Sequence, residues 1–120
     1  MKRSWLVSLA TLMALAVLVA TPRTQTRAAV AQSVADRVNA GGEMSVIVGV
    51  RAGFVPEGYL GGRDAVAAQR DAIARAVDDV RGRAAAAGIL TGYSFEVLPF
   101  FVARVNRDSL ETLATLPGVV

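Results

Sequence analysis

Few residues in this chain could do chemistry, because its 120 residues include no histidine and no cysteine. Serine–histidine and cysteine–histidine nucleophile–base pairs therefore cannot form, and zinc sites built from these ligands are excluded too. The only adjacent acids, Asp78 and Asp79, diverge around a predicted helix instead of converging on a substrate. The glycine pairs Gly41-Gly42 and Gly61-Gly62 lack the pattern of a phosphate-binding loop. We therefore predict that the protein is not an enzyme and has no catalytic residue, no metal site and no cofactor.

The chain begins with the pattern of a secretory signal peptide. Lys2 and Arg3 precede an apolar run from Trp5 to Ala20, and Ala29-Val30-Ala31 offers a small-residue cleavage site. We predict that residues 1–31 are the signal peptide and cleavage region, and that the protein is secreted or periplasmic, with no membrane association after cleavage. The alternatives are cleavage nearer Ala20 and an uncleaved signal anchor. The apolar run is shorter than the ~20 residues of a usual membrane span.

The formal net charge of +3 does not indicate nucleic-acid binding. Four of the thirteen basic residues precede Ala31 and all ten acids follow it, which leaves a net charge of −1 for the rest of the chain. We therefore predict no nucleic-acid partner. Because there is no cysteine, the exported part has to be stabilised by its hydrophobic core alone.

Apolar spacing predicts one strand and one long helix in the middle of the chain. Residues 32–42 are polar and end in two glycines, so we predict a flexible lead-in, and residues 31–40 are compatible with a helical turn or two. Residues 43–52 alternate as a strand, with Val46, Val48 and Val50 on one face. After a glycine-rich loop, apolar residues three, four or seven apart predict a helix over residues 63–87.

The last third of the chain predicts two short strands and a short helix. Residues 95–98 form the first strand and end at a break at Pro99, and residues 100–105 are rich in β-branched and aromatic side chains. Asp108 is the predicted helix cap, with Glu111 three residues later.

The final two residues, Val119 and Val120, begin another strand after Leu116-Pro117-Gly118 ends the helix. The order is then strand, helix, strand, strand, helix and an incipient strand. This order predicts an α+β fold, the ferredoxin-like βαββαβ two-layer sandwich. Its antiparallel sheet has two helices on one face, and its last strand is truncated.

The sheet face without helices is the main functional clue. If Phe101, Ala103 and Val105 pack under the helices, the opposite face carries an apolar patch suited to another protein. That patch consists of Phe100 and Val102, with Ile47 from the first strand. The alternative is a chance cluster of three surface hydrophobic residues.

The segments Val-Ala-Arg-Val-Asn at 102–106, Asp-Ser-Leu-Glu-Thr-Leu at 108–113 and Leu-Pro-Gly-Val-Val at 116–120 resemble, in this order, the propeptides of subtilisin-type serine proteases. These propeptides are also classed as peptidase inhibitors. Residues 46–51, an apolar run with a glycine and a closing arginine, resemble their opening strand. The resemblance covers residues 43–120 and implies a propeptide-like inhibitor domain there. Such a prodomain templates the folding of the protease that follows it and then inhibits it, acting as an intramolecular chaperone.

The resemblance also implies a partner and a contact surface. Propeptides of this family lay the bare sheet face on two surface helices of the protease, so the partner is a subtilisin-like serine protease in cis or in trans. The predicted partner-binding residues are Ile47, Glu96, Pro99, Phe100, Val102 and Arg104.

The chain departs from the family at two points. Many relatives carry an acid at the turn between strands two and three, where this chain has Pro99, and Glu96 is the predicted substitute. The family's cleft-binding tail follows the final strand, so we expect this chain to be a fragment or a truncated gene product. The rival hypothesis is a free-standing ferredoxin-like protein-binding module of the cell envelope.

Overall fold

The computed structural model describes residues 27–120, which contain three helices and three strands. In chain order they are α1 (Gln32–Asn39), β1 (Met44–Gly49), α2 (Arg63–Ala86), β2 (Leu90–Ser94), β3 (Phe100–Val105) and α3 (Arg107–Thr115), with a 3-10 turn at Glu57–Tyr59. The predicted α+β class is confirmed. The predicted signal peptide falls on residues outside the described part, except for its last five.

The strands form one antiparallel sheet in the order β1-β3-β2. A fourth position in this sheet begins beside β1, where Val119 forms an antiparallel bridge with Val50. The Val120 N–H also donates to the Gly49 carbonyl at 3.0 Å. The last two valines therefore pair with the edge of β1 that faces away from β3, as an incipient strand would. This arrangement is compatible with the ferredoxin-like order.

The core lies between the sheet and the two longer helices. Alternate residues of β3 point into it, and Phe101, Ala103 and Val105 are 0%, 0% and 1% exposed. They pack with Val48 of β1, with Val50 just after it, and with α3. On α2 they pack with one stripe of apolar side chains, formed by Ile73, Val77, Val80 and Ala84. The predicted direction of β3 is thus confirmed. A left-handed Gly88, with φ of +82°, follows α2 as the predicted helix stop.

The predicted flexible lead-in contains an eight-residue helix, α1. Val38 on this helix is 2% exposed and belongs to the same core as α3 and the sheet. The preceding residues also lie on α3, since the Ala28 N–H donates to the Ala114 carbonyl at 2.9 Å. Arg27 reaches Glu111 at 2.6 Å. Residues 27–39 therefore pack against the domain, because their apolar side chains contact α3. The local sequence does not predict this contact.

The prediction for the second strand was wrong in position. β2 covers Leu90–Ser94, and residues 95–99 form the connection to β3. Thr91 pairs with Ala103 but Ser94 pairs with Phe101, so one extra residue is accommodated in β2 as a bulge. The Phe95 N–H then donates to the Phe100 carbonyl at 3.1 Å and closes the turn.

The predicted cap of the last helix was also wrong. Asn106, not Asp108, caps α3: its side-chain Oδ1 accepts the Ser109 N–H at 2.9 Å. The Ser109 hydroxyl oxygen accepts the Asn106 N–H at 2.8 Å, which completes a reciprocal capping box. Asp108 lies in the first turn, where its negative charge interacts favourably with the positive end of the helix dipole.

The connection from β1 to α2 is fastened to the helix by two side chains. The Gln69 amide accepts the Val55 N–H at 2.9 Å and donates to the Val55 carbonyl at 2.8 Å. The guanidinium group of the next residue, Arg70, donates two hydrogen bonds to the Glu57 carboxylate, at 2.6 and 2.9 Å. The hydrogen bond from Arg70 holds the pKa of the Glu57 carboxyl below its ordinary value.

Candidate protein-binding face

The sheet face opposite α2 and α3 carries large apolar side chains that are accessible to solvent. Ile47 of β1 is 67% exposed, and Leu90 and Tyr93 of β2 are 70% and 68% exposed. Phe100 and Val102 of β3 and Phe95 of the following turn are partly buried. We call this surface the open face, formed by Ile47, Leu90, Tyr93, Phe95, Phe100 and Val102.

Strand register brings these side chains together. Ile47 is paired with Val102, and Leu90 is paired with Arg104, the neighbour of Val102 on the same side of β3. Directly paired residues project from the same side of an antiparallel sheet. A Cβ built on Gly92 would lie 3.3 Å from the Val102 Cβ, so the bulge places β2 backbone against this valine.

Three aromatic rings form a row along one side of the open face. The ring centroids of Tyr93 and Phe95 are 5.4 Å apart, and those of Phe95 and Phe100 are 6.4 Å apart with perpendicular planes. The Phe100 ring lies beside Gly49 of β1, since a Cβ built on this glycine would be 3.4 Å from the ring, an ordinary contact distance. Edge-to-face pairs such as Phe95 and Phe100 are favourable beyond the apolar area that they bury. The open face therefore carries a contiguous aromatic surface.

Four of the six predicted partner-binding residues lie on this side of the sheet: Ile47, Phe100 and Val102 belong to the open face, and Arg104 lies at its edge. Arg104 is exposed and forms an ion pair with Glu43 at 3.2 Å, at the end of the sheet away from the aromatic row.

The other two predicted residues lie in the connection between β2 and β3. Pro99 is buried, and its carbonyl accepts the Val50 N–H at 2.8 Å, so its part in the structure is to join β1 to the turn. Glu96 is exposed in the same connection. The buried Pro99 is therefore not part of the open face.

Sequence reasoning missed Leu90, Tyr93 and Phe95 as members of the face. The reason is the misplaced second strand, which was predicted over residues 95–98. A signal was present, because Thr91 and Tyr93 are residue types that favour strands and they follow the helix stop at Gly88 within five residues.

The described residues show neither a metal site nor a membrane span. Between residues 27 and 120, no three acidic side chains lie close enough to hold a metal ion. None of the helices in that range is both long enough and apolar enough to cross a bilayer.

Comparison with other proteins identifies no relative. No protein-family model, curated protein or solved structure matches the chain. The function is therefore inferred from the open face and from the resemblance in the sequence.

Proposed function

We propose that the chain is the prodomain of a secreted subtilisin-like serine protease, acting as an intramolecular chaperone and inhibitor of that enzyme. The domain has the ferredoxin-like fold and contacts the protease through its open face. The observation that carries the proposal is the cluster of exposed apolar side chains on a sheet face opposite the helices.

Contiguous apolar surface on a small domain indicates a binding site. The exposed residues here are large: Ile47, Leu90 and Tyr93 each leave about two thirds of their surface accessible. Aromatic side chains are enriched at the energetic centres of protein interfaces, because they bury much area with few rotatable bonds. The row Tyr93, Phe95 and Phe100 supplies such a centre.

A protease partner is supported by the family resemblance together with the fold. A sheet face of this size can lie across two surface helices of an enzyme, as propeptides of the subtilisin type do. Arg104 and Glu43 lie at the edge of the open face, where they would remain partly hydrated beside a partner. Pairs of exposed charges in such positions affect orientation more than affinity.

The second candidate is a free-standing protein-binding module of the cell envelope. One observation favours it: Pro99, which stands where many subtilisin-type propeptides carry an acid, is buried. Both candidates use the same face and differ in the partner.

The test compares two serine proteases that share their chemistry but not their fold. A subtilisin-type and a chymotrypsin-type enzyme are each blocked at the active-site serine with phenylmethylsulfonyl fluoride, and binding of the full chain is measured by surface plasmon resonance. We expect saturable binding to the subtilisin-type enzyme alone. Equal binding to both, or binding to neither, would remove the protease proposal.

The two tyrosines of the chain provide a matched pair of variants. Tyr93→Ser removes a ring from the open face, whereas Tyr59→Ser removes a more exposed ring, at 84%, from the connection between β1 and α2. We expect Tyr93→Ser to weaken binding about tenfold or more, which is the usual effect of losing an interface aromatic residue. Tyr59→Ser should leave the affinity unchanged. An equal loss for the two variants would show that the open face is not the contact surface.

A further inference from the structure

The connection between β1 and α2 is the longest one within residues 27–120, and none of its residues from 51 to 62 is buried. It carries the most exposed large apolar side chain of that range, Tyr59 at 84%. Phe54 and Val55 of the same connection are 41% and 43% exposed. A Cβ built on any of its four glycines would have no atom within 4 Å. The connection therefore lies on the surface with little packed against it.

The second half of the connection is not attached to the rest of the domain. The first half is fastened by the two α2 side chains described above, and the 3-10 turn Glu57–Tyr59 follows. After this turn Leu60 has an extended backbone, with φ of −81° and ψ of 149°. The Leu60 carbonyl and Gly61 make no backbone hydrogen bond with another described residue. Because segments with few contacts and unpaired backbone open at low free energy, residues 59–62 can enter a protease cleft without unfolding of the sheet.

The other connections of the described range lack one of these features. Residues 40–43 contain two glycines but no large apolar side chain. Residues 95–99 contain apolar side chains, but the Phe95 N–H donates to the Phe100 carbonyl at 3.1 Å and holds this turn closed. Residues 87–89 are hydrogen-bonded back to the last turn of α2. A large exposed apolar side chain and an unpaired backbone thus coincide in the β1–α2 connection.

We propose that the two peptide bonds on either side of Leu60 form a processing site for an endoprotease that binds a large apolar side chain immediately before the cut bond. Tyr59 or Leu60 supplies that side chain, and glycines follow, which add no bulk after the cut. Water is added across the broken bond: the carbonyl carbon gains the hydroxyl group and becomes a carboxylic acid, and the nitrogen of the next residue gains the hydrogen and becomes a free amine. Exposed loop tips are the preferred places for such cuts.

A single cut here divides both the core and the open face. The first piece contains α1 and β1 with Ile47, and the second contains α2, β2, β3 and α3 with the aromatic row. No disulfide joins the pieces, because the chain has no cysteine. An intact connection keeps two segments at an effective concentration of about millimolar, and the cut removes this advantage. Cleavage therefore dissociates the sheet and ends binding through the open face; the loss of binding rests on the proposed function, whereas the cleavage does not.

The test is brief digestion of the full chain with chymotrypsin, which cuts after aromatic residues and leucine, followed by mass spectrometry of the first products. Tyr93 is the internal control, because it is 68% exposed but belongs to β2, whose backbone is bonded to β3. Among the bonds between residues 27 and 120, we expect the first cut after Tyr59 or Leu60. A first cut after Tyr93 or Phe54, or cutting at many sites at equal rates, would overturn the proposal.

A matched pair of variants provides a second readout. The double variant Tyr59→Ser, Leu60→Ser removes both side chains that the protease would bind, and Tyr93→Ser removes an exposed ring from β2. We expect the first cut to slow by at least about tenfold in the double variant only, because the specificity pocket then gains no large side chain. Far-UV circular dichroism before digestion shows that the variants are folded. Cleavage of the folded double variant at the natural rate would overturn the proposal.

The consequence of the cut is measured after chymotrypsin is stopped with phenylmethylsulfonyl fluoride. We expect the two pieces to separate in size-exclusion chromatography and the far-UV signal of the sheet to be lost. Pieces that stay together with an unchanged spectrum would overturn the dissociation step. These measurements use no binding partner, and the binding test above uses blocked enzymes that cannot cut. Failure of the processing site and failure of the proposed function are therefore distinguishable.

Discussion

Phe100 and Phe101 are adjacent in the chain, yet their rings lie on opposite faces of the sheet. Phe101 is fully buried beneath α2 and α3, whereas Phe100 lies on the open face beside Phe95. Because successive side chains of a strand point to opposite faces, Phe101 contributes to the folded core and Phe100 to the proposed binding surface.

The first prediction follows from this separation. Phe101→Ala should destabilise the domain by ~3–5 kcal/mol, because it leaves a cavity in the centre of a small core. Phe100→Ala should cost much less, since its ring is partly solvated. Urea unfolding followed by circular dichroism gives both free energies of unfolding. A larger loss for Phe100→Ala than for Phe101→Ala would show that the sheet faces the other way.

The second prediction concerns the start of α3. Asn106→Ala removes the side chain that accepts the Ser109 N–H and should lower the free energy of unfolding by ~1 kcal/mol. Asp108→Asn, which keeps the shape of the residue and loses only its interaction with the helix dipole, should cost less. Thermal unfolding of the two variants under the same conditions separates these effects. If Asp108→Asn were the more damaging variant, the capping assignment would be incorrect.

The sequence predicted elements whose own residues carry the signal. The stripe that includes Ile73, Val77 and Val80 has the period of a helix, and β3 alternates so strongly that its buried face was predicted correctly. The strand at Val119 was also predicted, although only two residues represent it. In each case a local pattern is sufficient, because hydrophobic periodicity reflects which side is buried.

The errors arose where a distant partner decides the structure. The turn or two of helix allowed before Gly41 is present as α1, but the packing of this short helix on α3, about 70 residues later in the chain, was not predicted. The second strand was placed too late because its paired residues, Leu90 and Thr91, are selected by the register of β3 and by a bulge. Half of the open face was missed for the same reason. At the start of α3, both Asn106 and Asp108 are residue types that can cap a helix. Only the backbone geometry shows that Asn106 is the cap.

The third prediction concerns the N-terminal boundary of the domain. Residues 27–31 pack on α3, with Ala28 8% exposed and its N–H bonded to Ala114. A chain that begins at Gln32 loses these contacts and should be less stable than one that begins at Arg27 by ~1–3 kcal/mol. Urea unfolding of the two chains tests this.

The same packing bears on signal cleavage. Of the two predicted positions, cleavage nearer Ala20 leaves residues 27–31 on the domain, whereas cleavage after Ala31 removes them. If the protein is exported, as the sequence predicts, we expect an N-terminus at or before Arg27, as measured by mass spectrometry of the secreted material. A mature form that begins at Gln32 and unfolds at the same urea concentration as the longer chain would contradict both expectations.

The last prediction is a pH dependence that comes from Glu57. The hydrogen bond from Arg70 is the main reason that the pKa of Glu57 in the folded protein lies below its ordinary value of 4.5. A carboxyl group with a lowered pKa in the folded state stabilises the fold when the pH is above its unfolded pKa, and the contribution disappears as the pH falls through the folded pKa. The effect is small, because both side chains are accessible to solvent and water screens the pair.

The measurement compares the natural chain with Glu57→Gln, which keeps a hydrogen-bond acceptor for Arg70 but removes the charge. At about pH 7 the natural chain should be the more stable of the two in urea, and the difference should be smaller at about pH 3, because the contribution decreases once the pH falls below the ordinary pKa of 4.5. The control is Glu43→Gln, which removes a similarly paired carboxylate at the far end of the sheet and leaves the contact between Glu57 and Arg70 in place. If the difference between the natural chain and Glu57→Gln were the same at both pH values, the pairing of Glu57 with Arg70 would not contribute to the stability of the β1–α2 connection.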